Sequence, residues 1–257
     1  LENDGFPPLK IVGKNLTENR VKIPANISSQ FISSLLLIGG KLENGLEIEL
    51  LGEITSRSYL EMTLRMLTDV HINNSFNGNI IKVFNYKKVS TRSDIYPYEV
   101  ESDWSSASYF YSLAAIGKKN IDLKSFKMHS LQGDSALKQL YWDFFGVNTI
   151  TDEGSYTLNL IPEKNYRYPE LIGLNMNNCP DIAQTLCVTA AALKIHVDID
   201  GLATLKVKET DRLVALQNEL IKLGCVTEIT DDSICSVDFI EPQENISIAT
   251  YNDHRMA

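Results

Sequence analysis

The sequence predicts an α/β (α+β) fold assembled from a repeated β-α-β-α-β-β unit. Three observations carry that prediction. The same order of element types recurs about every 76 residues, the mark of a repeated supersecondary unit. Within each copy the apolar residues switch between helical and alternating spacing. Gly39, Gly117, Gly146 and Gly224 stand where helices should stop.

Each copy opens with a strand: "RVKIPA", "YPYEVE" and "LIGLNM". A first helix follows, beginning near Ser28 in "SSQFISSLLLIGG", near Ser105 in "SSASYFYSLAAIG" and at Pro180 in "PDIAQTLCVTAAALK". Next come the strands "LEIELL", "NIDLKSF" and "IHVDIDG". The second helices start around Tyr59, Ser135 and Arg212; in the last, Leu213, Leu216, Leu220 and Leu223 keep three- and four-residue spacing. Each copy closes on two alternating segments: "HINNS" with "NIIKVF", "VNTIT" with "YTLNLI", and "CVTEIT" with "SICSVDF". Turn formers such as "TDDS" separate them. Two pieces flank the array. "PPLKIVG" reads as the end of an earlier unit and "ISIATYNDHRMA" as a further unit's first strand and helix start, so the chain is expected to be a fragment.

Composition narrows the function classes. At 257 residues the chain can bury one large core or two moderate ones. A formal net charge of −9 argues against a nucleic-acid surface, though not against a local cationic pocket. No apolar run reaches the roughly 18 residues of a membrane span, and no signal peptide is recognisable. Cys179, Cys187, Cys225 and Cys235 form no C-x-x-C pair, have no histidine at zinc-ligand spacing and sit in mostly apolar surroundings. Buried thiols in a reducing cytoplasm are expected, without a structural metal.

Three clusters carry candidate chemistry. "KVKETDRL" is expected to put Lys208, Glu209 and Arg212 on the opening turns of a helix, with Lys208 and Arg212 on one face. Two cations at a helix N-terminus suit an anion; for the motif alone, a solvated face with salt links to Asp211 and Glu209 is the simpler reading. Asp181 follows a strand and Pro180 at another helix start, where it could equally be a stabilising first-turn acid. Ser28, Ser29 and Gln30 open a third helix, and a cap is the simpler reading there too. The repeat alignment changes the weighing. Asp181, Lys208 and Arg255 all begin helices just past strand ends, so they should converge on one end of a domain, with Lys208, Arg212 and Arg255 forming one anion site.

Together "DGFPPL", "SSQF", "SDWSSASY", "HSLQGD", "PD" at 180–181, "KVKETDRL" and "YNDHRMA" resemble, in this order along the whole chain, the 5-enolpyruvylshikimate-3-phosphate synthase (3-phosphoshikimate 1-carboxyvinyltransferase) family. The resemblance implies a two-domain enolpyruvyl transferase-like fold, each domain made of three such units. It divides this chain into 1–100, the later part of one domain, and 101–257, two complete units and the start of a third in the other. It also implies that Ser28, Ser29, Gln30, Ser56, Tyr59, Asp181 and Lys208 contact shikimate 3-phosphate, and that Arg212 and Arg255, with Gln30, hold phosphoenolpyruvate. Asp181 would take the proton of the attacking 5-hydroxyl, and Glu209 would serve proton transfer at the enolpyruvyl methylene. No metal or organic cofactor is implied; the partners are the two small-molecule substrates, with no nucleic acid or membrane, in a cytoplasmic enzyme whose full-length form is a monomer.

Lys206 stands where the family usually has arginine, and Thr204 at a position often filled by another polar side chain; neither it nor His254 is assigned a role. The family's N-terminal lysine segment, glycine-rich loop and C-terminal lysine stretch have no counterpart here, so the piece alone is expected to be inactive. The alternatives are a UDP-N-acetylglucosamine enolpyruvyl transferase-like enzyme and a non-catalytic ligand-binding or structural fragment; "KETDR" and "SSQ" favour the shikimate enzyme.

Overall fold

The computed structural model describes residues 8–86, 99–152 and 154–257. The first repeat comprises β1 (Arg20–Pro24), α1 (Ser29–Gly39), β2 (Leu46–Leu51), α2 (Arg57–Asp69), β3 (Asn74–Asn77) and β4 (Ile80–Val83). The second comprises α3 (Trp104–Gly117), β5 (Ile121–Lys124), α4 (Leu137–Phe145), β6 (Val147–Asp152) and β7 (Thr157–Pro162). The third comprises β8 (Leu171–Asn175), α5 (Ala183–Ala192), β9 (His196–Asp200), α6 (Arg212–Leu220), β10 (Cys225–Ile229) and β11 (Ile234–Phe239).

Sheet topology bears out the repeat. The first sheet runs β1-β2-β4-β3 and the third β8-β9-β11-β10, each with one parallel pair followed by antiparallel neighbours. The parallel pair needs a crossover helix, which α1 and α5 supply. The second sheet, β5-β7-β6, is the same order without its leading strand. The expected strand "YPYEVE" lies partly outside the described residues, and the described Glu99–Glu101 is irregular.

Two apolar cores result. In the first, Leu60, Leu64 and Leu67 of α2 and Ile32 and Leu36 of α1 close on the inward residues of β2, Leu46, Ile48 and Leu50. Spacing of three and four residues on the helices and of two on the strand accounts for those faces. In the second core α3 and α5 are buried on most sides. Ala107, Ala114, Ala183 and Ala190 let these helices approach closely, and Trp104, Tyr111, Tyr141 and Phe145 fill the space around them. The hydroxyls of Ser112, Tyr141 and Thr189 bond one another between α3, α4 and α5, so this buried polar group is satisfied.

Several local expectations are corrected. "KVKETDRL" does not open one helix: a 3₁₀ turn ends at Val207, and α6 begins only at Arg212. Asp211 is the reason, since its side chain accepts the Val214 N–H at 3.2 Å and caps the helix there. Lys208 and Arg212 therefore share no helix face. Ser135 lies in a 3₁₀ turn ahead of α4, and α3 starts one residue before Ser105, capped by Asp103. Residues 8–13 form no strand, and neither does "ISIAT"; Thr250–Met256 is a run of turns, so Arg255 opens no helix. In "ISIAT" no backbone partner strand lies alongside among the described residues, and an unpaired strand is not held.

Candidate functional site

A cavity of about 420 Å³ opens between the two cores. The first lobe contributes Ser28, Ser29 and Gln30 from the start of α1, and Ser56 from the N-cap position of α2. The second contributes Asp181, Lys208, Glu209, Arg212 and Arg255. Nine of the ten expected site residues thus meet in one place. Tyr59 does not. Its hydroxyl points away to Asp134 Oδ2 at 3.2 Å, and its ring lines a neighbouring cavity with Asp103, Gln132 and Arg255.

Arg212 is the hub. It is only 2 % exposed, and its fork engages Asp253 through Nε at 2.8 Å and Nη2 at 3.0 Å. Nη1 reaches Asp181 Oδ1 at 3.0 Å and Nη2 reaches Glu209 Oε2 at 2.8 Å. A planar guanidinium is suited to such fork pairing. Burial works against the Asp253 carboxylate, but Arg212 and the Arg255 N–H outweigh it and hold the group below the usual aspartate range. Lys208 Nζ also reaches Asp181 Oδ1, at 3.2 Å. That oxygen is shared by two cations, while Asp181 Oδ2 takes no hydrogen bond from the described residues.

Arg255 sits on the same wall with spare capacity. Its Nη1 is 3.4 Å from Asp103 Oδ2, and its buried Nε has no hydrogen-bond partner among the described residues. Burial lowers its pKa, yet the Asp103, Asp181 and Asp134 carboxylates more than compensate and raise it. On the facing wall Ser56 takes a left-handed conformation, φ 51°, and its N–H donates to the Asn177 carbonyl at 2.9 Å. The loop running into Asp181 is thereby tied to the start of α2.

Chemically, the cavity is lined by three cations, Lys208, Arg212 and Arg255, and two carboxylates, Asp181 and Glu209, with Asp253 buried against Arg212, so charge is largely balanced until an anion displaces an acid. Glu209, Asp253 and His254 gather within 4.8 Å, but Arg212 occupies both Asp253 oxygens, so the trio reads as an ion-pair cluster. Sequence reasoning missed Asp253, Asp103 and Asp134, the acids that hold Arg212, Arg255 and Tyr59. All three lie inside motifs already singled out, "YNDHRMA", "SDWSSASY" and "HSLQGD". Thr204 and His254 line the cavity too, and the Thr204 hydroxyl is buried without a partner among the described residues.

Known proteins share this arrangement of chain and fold. A 3-phosphoshikimate 1-carboxyvinyltransferase from Bacteroides fragilis (strain YCH46) is 40 % identical over 263 residues, covering 100 % of this chain and 61 % of that protein. One from Histophilus somni (strain 2336) is 35 % identical over 263 residues, covering 100 % and 57 %. The chain therefore spans about 57–61 % of the length of these relatives. Among solved structures, EPSP synthase from Acinetobacter baumannii superposes with a TM-score of 0.62 at 22 % identity, over 95 % of this chain and 55 % of that one. The enolpyruvyl transferase NikO from Streptomyces tendae gives 0.58 at 13 % identity, over 87 % and 52 %. At those identities the structures attest the fold alone. A family model described as EPSP synthase (3-phosphoshikimate 1-carboxyvinyltransferase) matches residues 1–257, and with the relatives' identity over the full chain it places this protein in the EPSP synthase family.

Proposed function

We propose that this chain carries the substrate cavity of an enzyme that transfers the enolpyruvyl group of phosphoenolpyruvate to the 5-hydroxyl of shikimate 3-phosphate, releasing phosphate. The observation that supports it most is the convergence of Ser28, Ser29, Gln30 and Ser56 with Asp181, Lys208, Arg212 and Arg255 on one cavity between two lobes. In this reading residues 1–100 and 101–257 belong to two domains, and the serine hydroxyls and Lys208 receive shikimate 3-phosphate. Arg212 and Arg255, with Gln30, receive phosphoenolpyruvate. Two anions repel each other in the open, and paired cations remove that barrier.

The residues divide the chemistry as follows. Asp181 takes the proton of the 5-hydroxyl while the oxygen bonds to the substituted enol carbon. Glu209 delivers a proton to the methylene, giving a tetrahedral intermediate. Loss of that methyl proton and departure of phosphate then restore the double bond. As substrate anions claim Lys208 and Arg212, Asp181 Oδ1 is released from both cations and is free to accept the proton. The same reading takes the full-length enzyme as a cytoplasmic monomer. Free cysteines support the reducing compartment, and burial pushes the Cys187 thiol up to about 12, so it stays unreactive.

Calorimetry with this chain tests the reading. Shikimate 3-phosphate should bind, and Lys208→Ala should weaken it by about tenfold, the scale of one charge-assisted hydrogen bond. Preference for UDP-N-acetylglucosamine over shikimate 3-phosphate would sink it.

A further inference from the structure

Asp134 is a buried carboxylate that the steps above leave unused. It is 0 % exposed and sits in the 3₁₀ turn Gly133–Ala136 that leads into α4. Its Oδ2 accepts from hydroxyls on both lobes: Tyr59 of α2 at 3.2 Å and Ser105 of α3. Its Oδ1 is buried with no hydrogen-bond partner among the described residues. A buried carboxylate with one oxygen unmet is costly, so the fold carries this group against its own stability.

The surroundings show where that cost is directed. A Cβ on Gly133 would fall 2.2 Å from Ser58 Oγ and 3.1 Å from the Asn178 carbonyl, so the Gly133–Asp134 turn presses directly on the start of α2. Ser58 Oγ donates to the Asn178 carbonyl at 2.8 Å, and the Ser56 N–H to Asn177 at 2.9 Å. The Ser56–Tyr59 segment is clamped between the Asp134 turn and the loop that enters Asp181.

We propose that Asp134 is a positioning residue: by holding the Tyr59 hydroxyl across the lobe junction, it sets where the Ser56–Tyr59 segment stands relative to Asp181 and the phosphorylated substrate. The substrate part rests on the function proposed above; the clamp does not. The charged and titratable groups facing Asp134 are Tyr59 from α2, Asp181 and Cys179 from the loop ahead of α5, and Arg255. Burial pushes Asp134 up to about 6, the Asp181 charge adds to this, and Ser105, Arg255 and Tyr59 oppose it. The ionised form is the better acceptor for the Tyr59 hydroxyl, so the clamp tightens as pH rises through that value.

Two measurements on the chain decide it. With 3-fluorotyrosine at position 59, the fluorine resonance should move with a midpoint near the Asp134 value of about 6, and that movement should vanish in Asp134→Asn. A resonance that does not titrate, or titrates equally in the variant, overturns the proposal. By calorimetry, Tyr59→Phe and Asp134→Asn should each weaken shikimate 3-phosphate binding by about tenfold, the scale of a hydrogen bond to a charged group. The double variant should be no weaker than either, because both break one contact. Additive losses, or unchanged affinity in Tyr59→Phe (which removes only a hydroxyl and decides the matter should Asp134→Asn not fold), overturn it. If the unaltered chain binds no shikimate 3-phosphate, the proposed function falls while the fluorine titration still judges the clamp.

Discussion

Arg212 shows how one side chain can be both structural and functional. It neutralises Asp253, which is 2 % exposed, and it also faces the cavity. Arg212→Leu leaves three carboxylates without their common cation, one of them enclosed. Its expected cost is about 3–5 kcal/mol, the range for breaking a buried pair, read by urea unfolding; a loss under about 1 kcal/mol would place it with exposed pairs instead. Asp181→Asn keeps the shape and removes the basicity, so turnover of the complete enzyme should fall by about 100-fold or more with substrate binding partly retained. Near-normal turnover would leave Asp181 a purely structural role. Asp134 gives an unusual pH signature. Its folded pKa is raised from 3.8 to about 6, so between those values the folded state holds the extra proton. Stability therefore falls as pH rises through that window, by up to about 3 kcal/mol. Asp253, lowered instead, contributes in the opposite sense: its stabilisation is lost as pH falls through its folded value. Unfolding curves across the window should flatten in Asp134→Asn, and an unchanged slope would contradict the burial assigned to it.

At the scale of elements, helix starts rather than helix centres build the site. α1 delivers Ser29 and Gln30, the turn before α5 delivers Asp181, and α6 begins at Arg212. Each start was legible in outline because apolar spacing and turn residues are local. The exact starts were not: Asp211 and Asp103 cap α6 and α3 by accepting first-turn N–H groups that have no partner within the helix, and several nearby polar residues could have done so. Asp103 has a second task, since Oδ2 faces Arg255 while Oδ1 accepts the Ser105 N–H at 3.0 Å. Asp103→Ala should cost about 1 kcal/mol of stability through the lost cap. It should also weaken phosphoenolpyruvate binding by misplacing Arg255. Calorimetry and thermal unfolding together check this, and unchanged binding would confine Asp103 to the cap.

For the molecule as a whole, the decisive feature is the close seam between the cores. Gly133 lies against the Ser58 side chain, Asn177 Nδ2 donates to the Ile54 carbonyl at 3.1 Å, and the Ser56 N–H donates to the Asn177 carbonyl at 2.9 Å, so the lobes also meet backbone to backbone. Gly133→Ala forces Ser58 away and should cost about 1–3 kcal/mol, as overpacking does. It should also lower affinity for shikimate 3-phosphate, because the serines of one lobe would move off the cations of the other. Thermal unfolding and calorimetry of this variant report the two effects; stability and affinity matching the unaltered chain would mean the seam is loose. Among the described residues no helix is long and apolar enough to cross a membrane.

The sequence by itself determined the repeat, the order of strands and helices within it, and most residues of the candidate site, because periodicity, glycine stops and motifs are properties of neighbours along the chain. It could not determine that Tyr59 turns from the cavity toward Asp134, that Asp253 rather than solvent meets Arg212, or that "ISIAT" forms no strand. Those outcomes were decided by tertiary structure. A carboxylate's partner, its burial and therefore its pKa depend on which distant segment packs against it, and Tyr59 and Asp134 are 75 residues apart in the chain and joined only where the two lobes close.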